Sequence, residues 1–299
     1  MCGIVGFTWK DSGLIRDMTN SISHRGPDNI GLYADNSISL GHARLSIIDI
    51  SENANQPMFN SSRSLAVVFN GEIWNYIELK KRLERRGYIF ETKSDTEVLL
   101  HGYSEWGNDL PLMLDGMFAF AIWDLKKEKL FLARDRIGKK PLYYSIIGEN
   151  LMFSSEIKSF LKYNGFDKEL DRQTISDFLT LRFSSLNRTI FRNTKKLLPG
   201  YFMEFYKGKK IIKPYWNLPK PESIDIPNVS FVDKLIDNSV KKRLMSDVPI
   251  GVFLSGGLDS TTLVYYASKY IKNLRTFSIG FSGVTDETKY AELVAKEFN

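Results

Sequence analysis

Residues 116–124 read Gly-Met-Phe-Ala-Phe-Ala-Ile-Trp-Asp, and between Met117 and Trp123 neither alternating set contains a polar side chain. Met117, Ala119, Ala121 and Trp123 make one set, and Phe118, Phe120 and Ile122 the other. Successive side chains of a strand point to opposite faces, so such a strand must be covered on both sides. The segment therefore predicts stacked layers and argues against an open sheet with one wet face. Further strands are predicted at the N-terminus and over Ser37–Leu45, Ser64–Asn70, Tyr88–Thr92, Lys129–Asp135, Leu142–Ile147 and Leu151–Ser155. Helices are predicted from about Asn75 to Arg86, stopped by Gly87, from Asp95 through Trp106 with Ser94 as cap, and from Ser155 to Lys162.

The sequence NLPKPESIDIP at 217–227 holds three prolines. It cannot run through a helix interior or a central strand. It divides the chain into residues 1–216, a linker at 217–229, and residues 230–299. Beyond it the pattern alternates: a helix capped by Ser230, the strand Ile250–Leu254, a glycine turn, a helix from Leu258 to about Ile271, the strand Arg275–Gly280 and a final helix. Alternation of this kind implies a parallel sheet. Two parallel strands bury too little to stand alone, so the chain is expected to stop inside its second domain.

The chain has 43% apolar and 25% charged residues, ordinary values for a globular protein with a core. No apolar run approaches the roughly 18 residues of a membrane span, and no signal-like segment opens the sequence. One cysteine excludes an internal disulfide framework and fits a reducing cytoplasm. The net charge of +6 comes from scattered basic clusters, among them Lys207–Lys213. They read as solvated helix faces and loop tips, with no basic stripe interleaved with aromatics, so no nucleic-acid partner is expected.

The one cysteine is Cys2. Loss of Met1 would give it a free α-amine, with an ordinary pKa of about 7.7–8.0, beside its thiol. Nucleophile and base would then share one residue. Four segments could assemble around it: HRGPD at 24–28, GHARLSIID at 41–49, FNGEI at 69–73 and SDTEVLL at 94–100. Each has a plain structural reading: a surface arginine, an Asn-Gly turn closing a strand, a helix cap. Together they hold the parts needed to bind glutamine. Arg44 offers a fork to an α-carboxylate. Asp95 and Glu72 can accept from an α-ammonium. Asn70 and the Gly71 N–H can donate to the oxyanion of an attacked amide.

The series CGIVG, HRGPD, HARLSIID, FNGEI, SDTEVLL, DGMFAFAIWD and ARDRIGKKPLYY resembles the N-terminal-nucleophile glutamine amidotransferases, in particular the glutaminase domain of the asparagine synthetase B family. The resemblance covers roughly residues 2–200. It implies an α+β fold, a four-layer α/β/β/α sandwich followed by an incomplete α/β parallel-sheet domain. It further implies Cys2 as nucleophile and a glutamine site lined by Arg44, Leu45, Ser46, Ile47 and Ile48 and completed by Asn70, Gly71, Glu72 and Asp95.

Leu254–Ser260, Leu-Ser-Gly-Gly-Leu-Asp-Ser, follows an apolar strand and opens a helix. Successive glycines let N–H groups converge on an anion there, and the helix start adds favourable partial charge. No lysine follows, so it is not a Walker A loop. The run SDVPIGVFLSGGLDS resembles the pyrophosphate-binding loop of the ATP pyrophosphatase-type enzymes, most closely that of asparagine synthetases. That resemblance implies Ser255, Gly256, Gly257, Asp259 and Ser260 at the phosphates of ATP, and Leu254 and Ile279 at its adenine. It implies glutamine, aspartate and ATP as substrates, Mg²⁺ with the nucleotide on ligands the sequence does not identify, and allows a homodimer. Three alternatives stay open: amidation of another carboxylate such as a sugar acid, a tRNA- or nucleotide-modifying pyrophosphatase, and a non-catalytic partner protein.

Overall fold

The computed structural model describes residues 1–184, 186–220, 228–280 and 286–298. They divide into two compact units, Met1–Pro219 and Lys220–Asn299. In chain order the first unit carries β1 (Gly3–Phe7), α1 (Ser12–Ser21), β2 (Asn29–Ala34), β3 (Ser39–Arg44), β4 (Met58–Phe59) and β5 (Leu65–Ile73). Next come α2 (Tyr76–Glu84), α3 (Asp95–Trp106), α4 (Leu110–Met113), β6 (Gly116–Asp124), β7 (Lys129–Arg134), β8 (Tyr143–Ile147) and β9 (Asn150–Ser154). It closes with α5 (Arg172–Leu181), β10 (Thr194–Lys196), β11 (Tyr201–Tyr206) and β12 (Lys209–Pro214).

The strands form two six-stranded sheets, in the orders β10-β8-β9-β1-β3-β2 and β12-β11-β7-β6-β5-β4. The alternation in β6 decides what each face meets. Ala119, Ala121 and Trp123 pack with Ile4, Leu40 and Phe153 between the sheets. Phe118, Phe120 and Ile122 pack with Leu79, Leu83 and Val98 beneath α2 and α3. On the far side of the other sheet, Val5 and Phe7 meet Ile15 and Met18 of α1. The layers are thus helix, sheet, sheet, helix, and burying each large side chain of β6 contributes about 1.5–3 kcal/mol.

Several expectations need correction. Tyr88–Thr92 is not a strand, because the Glu91 and Thr92 N–H groups donate to the Glu97 carboxylate at 2.9 and 2.7 Å instead of to a ladder. The Asn70-Gly71 pair is not a turn. It lies inside β5, which pairs with β6 from Leu65↔Asp124 to Ile73↔Gly116. The glycine there serves close approach, since a Cβ on Gly71 would sit 2.1 Å from the Met117 carbonyl oxygen. Segment 157–162 is a 3₁₀ turn. Lys209–Lys213 is neither helix face nor loop tip but the edge strand β12, hydrogen-bonded to β11 and exposed throughout.

The second unit holds α6 (Val229–Lys242), β13 (Gly251–Phe253), α7 (Leu258–Ser268), β14 (Arg275–Phe277) and α8 (Thr288–Phe298). β13 and β14 pair in parallel, as the alternation requires. The cap of α6 is Asn228, whose Oδ1 accepts from Phe231 N at 2.8 Å, and not Ser230. Both predicted strands end sooner than expected, at Phe253 and Phe277, and α7 ends at Ser268. Most of the expected linker, residues 221–227, lies outside the described residues. Among the described residues no helix is long and apolar enough to cross a membrane.

Candidate functional site

Cys2 precedes β1, and its place is fixed from two directions. The Arg25 Nε donates to the Cys2 carbonyl at 2.9 Å, and Leu45 N donates to the Cys2 Sγ at 3.3 Å. The thiol faces a cavity of about 250 Å³, whose lining includes Arg44, Leu45, Ile47, Ile48, Asn70, Gly71, Glu72 and Asp95. Every residue expected from the sequence is therefore brought to one place except Ser46. Ser46 does not line the cavity; its N–H donates instead to Asp28 Oδ2 at 2.7 Å, which ties the loop to the 24–28 turn.

β5 supplies the polar wall. Asn70 is fully buried, and neither its Nδ2 nor its Oδ1 has a partner among the described residues. A buried polar atom left unpaired costs about 1–3 kcal/mol, so this amide is held ready for something outside the chain. The neighbouring N–H groups show the same economy of direction. Phe69 N donates to Gln56 Oε1 at 2.6 Å, and Ile73 N to Asp95 Oδ2 at 2.9 Å. Backbone N–H groups of alternate strand residues point the same way. The Gly71 N–H between them therefore turns away from β6, toward the cavity that Gln56 and Asp95 also line. On the other side of β6, Phe118 N and O are both taken by Asp135, as that parity demands.

Arg44 is buried at the end of β3. Its guanidinium donates to Ser51 O and Asn55 Oδ1, each at 2.7 Å, and to the Asp49 carbonyl. Three of its five donors thus shape the 45–55 loop. Asp95 opens α3 and is buried; loss of solvent, reinforced by the nearby Glu72, pushes its pKa up to about 7. Burial likewise raises the Cys2 thiol. The lining residues that sequence reasoning missed include Gln56 and Lys140. Lys140 lay within the quoted run ARDRIGKKPLYY, but a lysine on a turn carries no sequence mark of burial.

In the second unit, Leu254, Ser255, Ser260 and Ile279 line a separate cavity of about 480 Å³. Gly256, Gly257 and Asp259 do not line it; Gly257 caps α7 and Asp259 lies in its first turn. Gly256 has φ +81°, and a Cβ there would meet the Tyr290 Cβ at 2.5 Å, so only glycine fits. Ser255 Oγ and Ser260 Oγ lie 3.1 Å apart, with Gly257 N 3.4 Å from Ser255 Oγ. Two hydroxyls and the N–H groups of a helix start suit a phosphate chain. Among the described residues no group of three or more His, Cys, Asp or Glu side chains could hold a metal ion.

The family model for the glutamine amidotransferase domain matches residues 1–216. The chain belongs to this family. The asparagine synthase model matches residues 232–299, downstream of the amidotransferase domain. Asparagine synthetase (glutamine-hydrolyzing) 3 of Bacillus subtilis is 36% identical over 100% of this chain, and synthetase 1 of the same organism 39% over 99%. A putative asparagine synthetase 2 of Methanocaldococcus jannaschii is 38% identical over 100%. The chain spans 51%, 48% and 63% of these relatives' own lengths. Among solved structures, the glutamine phosphoribosylpyrophosphate amidotransferase of B. subtilis matches with a TM-score of 0.54 at 18% identity, over 93% of this chain and 65% of that one. The allosteric regulatory enzyme of purine biosynthesis matches with 0.53 at 17% identity, over 98% of this chain and 70% of that one. At such identities the likeness concerns the fold, and it agrees with the sandwich described above.

Proposed function

We propose that the first unit hydrolyses glutamine at Cys2 and that the ammonia serves an ATP-dependent conversion of aspartate to asparagine. The observation that carries the first half is the unpartnered Asn70 amide facing the same cavity as the only thiol. Arg44 would hold the α-carboxylate of glutamine through its remaining donors, and Asp95 with Glu72 the α-ammonium. With Met1 removed, the α-amine of Cys2 takes the thiol proton. The thiolate forms a bond to the side-chain amide carbon, and the carbonyl electrons move to oxygen, where Asn70 Nδ2 and the Gly71 N–H donate. Collapse breaks the C–N bond as the nitrogen takes the proton back and leaves as ammonia. Water then cleaves the thioester, giving glutamate and restoring the thiol.

For the second half, Ser255, Ser260 and the N–H groups around Gly256 and Gly257 would receive the phosphates of ATP, with Leu254 and Ile279 against the adenine. ATP would supply the leaving group that activates the aspartate carboxyl. Mg²⁺ is expected with the phosphates, where it would neutralise the departing pyrophosphate; Asp259, exposed on the first turn of α7, is the one carboxylate within that loop. Support for aspartate as acceptor comes from the relatives' names and the asparagine synthase match. The test is glutamine turnover with and without Cys2→Ala: glutamate and ammonia should appear only with the cysteine. Turnover that survives Cys2→Ala would overturn the assignment of the nucleophile.

A further inference from the structure

Lys140 is built into the cavity wall more firmly than a surface lysine would be. Its N–H donates to Asp135 Oδ2 at 3.0 Å, and its carbonyl accepts from Arg134 Nε at 2.7 Å, so the backbone is held on both sides. The side chain is 3% exposed and lines the same cavity as Cys2. Its ammonium forms no ion pair among the described residues, and the partner it does have is the Met1 Sδ at 3.1 Å. A thioether is a weak acceptor for a buried cation. That partner disappears with Met1, which leaves the ammonium facing the mature N-terminus.

We propose that Lys140 acts through Cys2 as a positioning residue, its ammonium turning to the mature thiol and favouring the thiolate. The proposal rests on the reading of Cys2 as nucleophile. A buried thiol is otherwise held protonated by loss of solvent, the leading influence on Cys2. A nearby lysine is one of the few devices that offsets this. Burial also lowers the pKa of Lys140, while Glu72 and the Cys2 thiol favour its charge. The other charged groups around the pair act in both directions. Glu72 and Asp95, facing the thiol from β5 and α3, oppose a thiolate. Arg25 gives Nε to the Cys2 carbonyl and Nη1 to Glu156, and its Nη2 is buried without a partner among the described residues. Asp28 holds Ser46 N, and Asp135 holds the turn that carries Lys140. Burial presses the Met1 amine toward its neutral form, the Cys2 thiol opposes this and Lys140 adds to it; the amine and Lys140 both favour the Cys2 thiolate, and the Lys140 variants isolate the second of the two.

The experiment is the pH profile of Cys2 alkylation by iodoacetamide, on full-length protein whose loss of Met1 is verified by mass. The thiolate sulfur bonds the reagent's methylene carbon and iodide leaves; with one cysteine in the chain the readout has a single source. Lys140→Met should move the midpoint up by about one pH unit, about tenfold slower alkylation at neutral pH, while Lys140→Arg stays within about twofold of the parent. If Lys140→Met does not fold by circular dichroism, Lys140→Gln replaces it with the same expectation. A parental midpoint in the folded Met or Gln variant overturns the proposal, as does an Arg variant that behaves like Met. Glutamine turnover by the parent is measured alongside. Its absence together with a shifted alkylation profile would remove the glutaminase reading and leave the Lys140 assignment standing.

Discussion

Asn70 and Asp95 are the two residues whose chemistry the fold isolates most sharply, and they give opposite kinetic signatures. Asn70→Ala removes the proposed oxyanion donor, so kcat should fall about 10²–10³-fold, or about 2.7–4 kcal/mol, with KM for glutamine nearly unchanged. Steady-state kinetics decide this, and a change confined to KM would mean that Asn70 merely binds. Asp95 predicts a pH dependence. Its folded pKa, raised to about 7 by burial and then by Glu72, stands above the ordinary 3.8. The stability it contributes is therefore complete below about pH 3.8 and lost as pH rises through about 7. Binding of an α-ammonium needs the ionised form, so KM for glutamine should fall as pH rises from 6 to 8. Asp95→Asn should flatten both profiles, measured by thermal melts and by KM across that range. Arg44→Lys should raise KM, because lysine lacks the fork. It should also lower Tm, because the same guanidinium holds Ser51, Asn55 and Asp49. A sequence shows that an arginine is present; it does not show how many of its donors the protein keeps for itself.

At the scale of elements, legibility followed the strength of the local pattern. β6 was readable because both of its faces are apolar, and α3 because Ser94 and Asp95 mark its start; the Ser94 hydroxyl does accept from Thr96 N. β5 was readable to Asn70 and then misjudged, since the Asn-Gly signal for a turn was overridden by nine residues of pairing with β6. The fragment 88–92 has strand composition, but its N–H groups answer to Glu97, a partner that composition cannot announce. β12 was invisible for the opposite reason. Lysines on an edge strand deter pairing with other chains, so the residues that protect the strand also disguise it. Gly71→Ala belongs to this scale. Its added methyl has only 2.1 Å to the Met117 carbonyl, so β5 and β6 must part there. Loss of at least about 1–3 kcal/mol in chemical denaturation is expected, together with loss of glutamine turnover.

At the scale of the whole molecule, the two units differ in how completely they bury their apolar residues. The first has three clusters of buried side chains that together cover both faces of both sheets. In the second, a two-stranded sheet leaves Phe253 78%, Phe277 55% and Ile279 73% exposed. Local opening is easiest where buried apolar contacts are few. Limited proteolysis should therefore remove residues from the second unit first, and a chain ending at Pro219 should keep its glutamine turnover. Early cleavage within β5 or β6 would contradict this. The position of the wall that carries Asn70 and Gly71 has one more consequence. β5 is zipped along nine residues to a strand buried on both faces, and such amides exchange with solvent only when the domain unfolds as a whole. The proposed oxyanion donors thus sit on a strand paired along its whole length, while the 45–55 loop that lines the same cavity is held by side-chain hydrogen bonds of Arg44, Asp28 and Asp49. For the proposed glutaminase, breathing that admits glutamine and releases glutamate would come from the loop side, against a wall that stays still.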